Sequence, residues 1–109
     1  MDLISNNDAL KSLIIRAENN TVSTNQKFPF IYELIDCLEN NGKNFRDIIK
    51  EKCEISGDKH ILFKFVMLYY TFLIHNPNLT KNEIVIKMNS VISDHDLRTS
   101  LMQLKLVKE

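Results

Sequence analysis

Glycine and proline are scarce in this sequence, with two of each among 109 residues. An all-β fold needs many tight turns, and that scarcity argues against one. Excess charge is missing too: 14 basic residues balance 14 acidic ones, and the formal net charge is zero. Proteins whose main partner is a phosphate backbone usually carry a basic excess, which this chain lacks. The longest apolar run, Ile61 to Ile74, has 14 residues and contains Lys64. It falls short of the ~20 residues that cross hydrocarbon, so no membrane span is expected. The start, MDLISNND, opens with an acid and has no basic segment followed by an apolar one. No signal peptide is expected, and an intracellular protein, cytoplasmic or nuclear, is the reading.

Site chemistry is equally sparse. With glycines only at 42 and 57, no Gly-rich phosphate loop is possible. His60, His75 and His95 have no partner at metal-ligand spacing, there being no H-x3-H, C-x2-C or HExxH. Cys37 and Cys53 each fall in an apolar-periodic segment, where a thiol packs as a small hydrophobe and a thiolate is disfavoured. A disulfide in a secreted protein is the alternative for that pair. The expectation is a protein without catalytic residues, metal or cofactor.

What the chain does have is HILFKFVMLYYTFLIH, His60 to His75. Only His60, Lys64, Thr71 and His75 depart from apolar or tyrosine, and at 100° per residue those four share an arc of about 60°. The run alternates nowhere, which excludes a half-buried strand. It reads as the central helix of a small all-helical domain, with the four polar residues marking where the helix reaches solvent or lines a pocket.

Amphipathic segments flank it. Leu10, Leu13, Ile14 and Ala17 recur at helical spacing, with Asn7 or Asp8 as cap and an end near Glu18. The polar stretch from Asn19 to Lys27 is the longest expected connection. Pro29 suits a first helical turn, and Ile31, Leu34, Ile35 and Leu38 form the next stripe. Asn40-Asn41-Gly42 is expected to close that helix, and Asn44 to cap another that buries Phe45, Ile48, Ile49 and Cys53. Arg46, Asp47, Lys50, Glu51 and Lys52 make its solvated outer face. Ser56-Gly57-Asp58 breaks the chain, with Asp58 as cap of the apolar helix, and Asn76-Pro77 ends it. The architecture expected is an all-α single domain, residues 1–109, of about six helices around 60–75.

Two helix starts then follow in one grammar. Thr80 caps with Glu83 reaching back, and Leu79 staples Ile84. Ser93 caps with Asp96 in the same role, and Ile92 staples Leu97. The expected turn between them is Asn89-Ser90-Val91-Ile92, a helix-turn-helix outline. LTKNEIVIKM followed by SDHDLRTSLMQLKLVKE resembles the second and third helices of winged-helix domains, over residues 79–107. Leu97, Leu101, Leu104 and Leu106-Val107 follow that family's leucine rhythm into a short strand, with Lys105 where glycine is usual. The resemblance implies that Arg98, Thr99, Ser100 and Gln103 face bases, with Lys105 and Lys108 on the backbone. Asp94 and Asp96 are first-turn acids that the helix dipole favours.

The leading functional expectation is a non-enzymatic protein–protein interaction module, an adaptor or assembly subunit with a protein partner or self-association. Tyr69, Tyr70 and Phe72 form the candidate apolar interface. The alternative is a helix-turn-helix transcriptional regulator that binds nucleic acid through residues 80–105, with His95, Arg98, Thr99, Gln103 and Lys105 as the candidate surface.

Overall fold

The computed structural model describes residues 2–21, 27–55 and 60–104. Among them the regular elements are α1 (Asp2–Asn19), α2 (Pro29–Ile55), α3 (Ile61–His75), α4 (Lys81–Val91) and α5 (Asp94–Gln103), all helical, with no strand. The Cα radius of gyration, 13.1 Å, is that of a compact globule of this length. The all-α expectation holds, with five helices in place of about six. The two helices expected on either side of Gly42 meet there at a break, with Gly42 outside helical geometry at φ 59° and ψ −131°, and are labelled together as α2. Asn44 is exposed two residues beyond that break.

Helix α1 begins at Asp2, ahead of the expected caps Asn7 and Asp8, because neither glycine nor proline interrupts residues 2–9. It closes one residue past the expected end, with Asn20 in the left-handed region at φ 59° and the Thr21 amide bonded to the Arg16 carbonyl at 3.0 Å. Residues 22–26 of the expected long connection, and the break at Ser56-Gly57-Asp58, lie outside the described residues. The cap of α3 is His60, whose Nδ1 accepts from the Leu62 amide at 3.2 Å; the expected cap Asp58 lies outside the described residues.

The centre of the molecule is α2, which packs against each of the other four helices. Its first half buries Phe30, Ile31, Leu34, Ile35 and Leu38, and beyond the break it buries Phe45, Ile49 and Cys53. The break lets α2 turn two inner faces onto a single core. The expectation that α3 is the sheathed central rod is corrected here. Helix α3 buries one stripe, Leu62, Phe65, Val66 and Tyr69, and packs against α2, α4 and α5 on that side. Its opposite side is left to solvent.

Helix α4 starts with the expected reciprocal capping box, and α5 with the Ser93 cap that forms half of one. Thr80 Oγ1 accepts from the Glu83 amide at 3.2 Å, while Glu83 Oε1 accepts from the Thr80 amide at 2.9 Å. Ser93 Oγ accepts from the Asp96 amide at 3.1 Å. The connection is shorter than expected, since α4 continues through Val91 and only Ile92 and Ser93 separate the two helices. Leu97, Ser100, Leu101 and Leu104 face the core from α5.

Two charged residues one turn apart on α5 hold the ends of other helices. Asp94 Oδ1 accepts from the Ile31 amide at 2.9 Å and so caps the start of α2 across 63 residues of sequence. Arg98 Nε donates to the Ala17 carbonyl at 3.0 Å, at the end of α1. An acid thus sits at a positive helix end and a cation at a negative one. Burial raises the pKa of Asp94 above the usual carboxylate value, while the Ile31 and Phe30 amides pull it down.

A raised carboxylate pKa means that the charged form costs stability above that pKa, and that the cost is relieved as pH falls through it. Asp94→Asn keeps the acceptor oxygen, so relative to it the native protein should gain stability as pH is lowered from 7 towards 4; a relative loss contradicts this. Asp94→Ala should cost about 1 kcal/mol at pH 7 in urea titrations. Gly42→Ala should cost about 1–3 kcal/mol although a Cβ there meets nothing within 4 Å, because the backbone dihedrals, not space, forbid a side chain.

Candidate interaction surface on α3

The outward side of α3 is an ordered row. His60, Lys64, Met67, Thr71 and Ile74 follow one another at spacings of four, three, four and three, the seam along which one helix packs on another. From Lys64 on, every member of that row is exposed, as is His75 beside it. Ile74 is 75% exposed and Met67 43%, and Ile61 at the start of the helix is 41% exposed. Large side chains at these levels are uncovered on the face that the other helices do not reach. Ile86 and Val91 of α4 and Ile15 of α1 are exposed as well.

Helix α3 carries Lys64 and no Asp or Glu between Ile61 and His75. At the edge nearest Tyr70, Arg46 and Asp47 of α2 pair with each other at 3.3 Å. Thr71 satisfies its own hydroxyl on the Met67 carbonyl at 3.0 Å. The polar stripe read from the sequence is therefore a solvent-facing strip from Lys64 to His75, and His60 at its head serves as a cap.

The residues singled out for an apolar interface are placed differently. Tyr69 is 3% exposed and belongs to the core, its ring edge-on to Tyr70 with centroids 5.2 Å apart. Burial, helped by Glu39 and Tyr70, pushes the Tyr69 phenol up to about 12. Tyr70 and Phe72 are half-buried and pack against the core, and the Tyr70 hydroxyl oxygen is itself covered. The projecting apolar groups are instead Ile61, Met67 and Ile74. The signal for two of them was present in the sequence: Met67 and Ile74 share the three-four row with Lys64 and Thr71.

On α5 the proposed outer residues separate. His95, Thr99 and Gln103 are exposed, and Thr99 Oγ1 donates to the His95 carbonyl at 3.1 Å. Arg98 is half-buried against α1, and Ser100 is 3% exposed in the core. Lys105, Lys108 and Leu106-Val107 lie outside the described residues.

A cleft of about 410 Å³ lies between α1 and α2, lined by Ala9, Ser12, Leu13, Arg16, Glu33, Asp36 and Cys37. Arg16 is ion-paired with Glu33, and Lys81 bridges Asp36 and Glu39, the latter at 3.6 Å. Those pairs tie α1 and α4 to α2. Burial raises the Cys37 thiol pKa despite the Arg16 charge nearby, which keeps the thiol protonated at neutral pH. Cys53, pushed up to about 11 by burial against a Phe63 backbone hydrogen bond, is a core thiol. Among the described residues no helix is long and apolar enough to cross a membrane. Comparisons of this chain with known protein families, with curated proteins and with solved structures find no match in any of the three.

Proposed function

We propose that this chain is a non-enzymatic protein–protein interaction module whose working surface is the outer side of α3. The observation that carries the reading is the exposure of Met67 and Ile74 on the same helix row. A scattered surface isoleucine needs no explanation, but Met67 and Ile74 two turns apart on one side of a helix, with Phe63 and Tyr70 half-buried on the same helix, form an apolar strip. Exposed apolar area of this kind gains free energy when a partner removes it from water, at about 25 cal/mol per Å². The helix beneath the patch is held by its four buried side chains, so the surface is presented without first being ordered.

The reading separates α3 from the rest of the surface. Met67→Lys and Ile74→Lys should leave helical content and melting temperature close to those of the native chain, since both side chains project into solvent. The same two variants should lose whatever proteins co-purify with the tagged native chain from its host, while Ile15→Lys on α1 should retain them. Quantitative mass spectrometry of the captured proteins measures this. Equal capture by all four proteins removes α3 as the working surface.

A further inference from the structure

We draw no further inference here: the strongest candidate, the exposed apolar strip of Met67 and Ile74 on the outer side of α3, belongs to the surface already described, and nothing in the structure shows what covers it.

Discussion

Helix α5 fixes how the helices around α2 sit against one another. It buries Leu97, Leu101 and Leu104 and contacts α1, α2 and α3, which brings helices from both ends of the sequence into one core. Burial alone would fix the depth of α5 but not its register along its neighbours. The Asp94 carboxylate on the Ile31 amide and the Arg98 guanidinium on the Ala17 carbonyl supply that register. Each satisfies a backbone group that a helix end leaves without an intrahelical partner. A slide of α5 by one turn would break both at once and leave a half-buried acid and a half-buried cation unpaired.

That arrangement has a consequence for the winged-helix resemblance of residues 79–107. Arg98, the arginine expected to face bases, is engaged with α1, and Ser100 is inside the core. Asp94 and Asp96 were assigned to the dipole of their own helix. Asp96 sits exposed in that first turn, but Asp94 answers the dipole of α2 as well. Sequence spacing within one helix cannot reveal an acid whose partner lies 63 residues away.

The apolar helix shows how far hydrophobicity alone reaches. Twelve of the sixteen residues from His60 to His75 are apolar or tyrosine, and that count suggested a rod covered on all sides. A globule of 109 residues does not have enough other helices to sheath one completely. Helix α2 takes the central place because it is the longest and because the break at Gly42 gives it two inner faces. Helix α3 is then covered on the stripe Leu62, Phe65, Val66 and Tyr69, and Met67 and Ile74 remain outside. The surplus apolar surface that the sequence carries thus becomes the candidate surface.

Local grammar was legible in the residues themselves. The stripes of α1 and α2, the caps Thr80 and Ser93, the break at Gly42 and the narrow polar strip from Lys64 to His75 all follow from spacing, side-chain hydrogen bonding and backbone sterics within a few residues. Those forces act at short range, so a short stretch of sequence determines them. Which helix lies at the centre, which side of α3 is dry, and what Asp94 and Arg98 hold were decided only by the tertiary structure. Each depends on groups brought together from distant segments, and burial is shared among whichever faces meet.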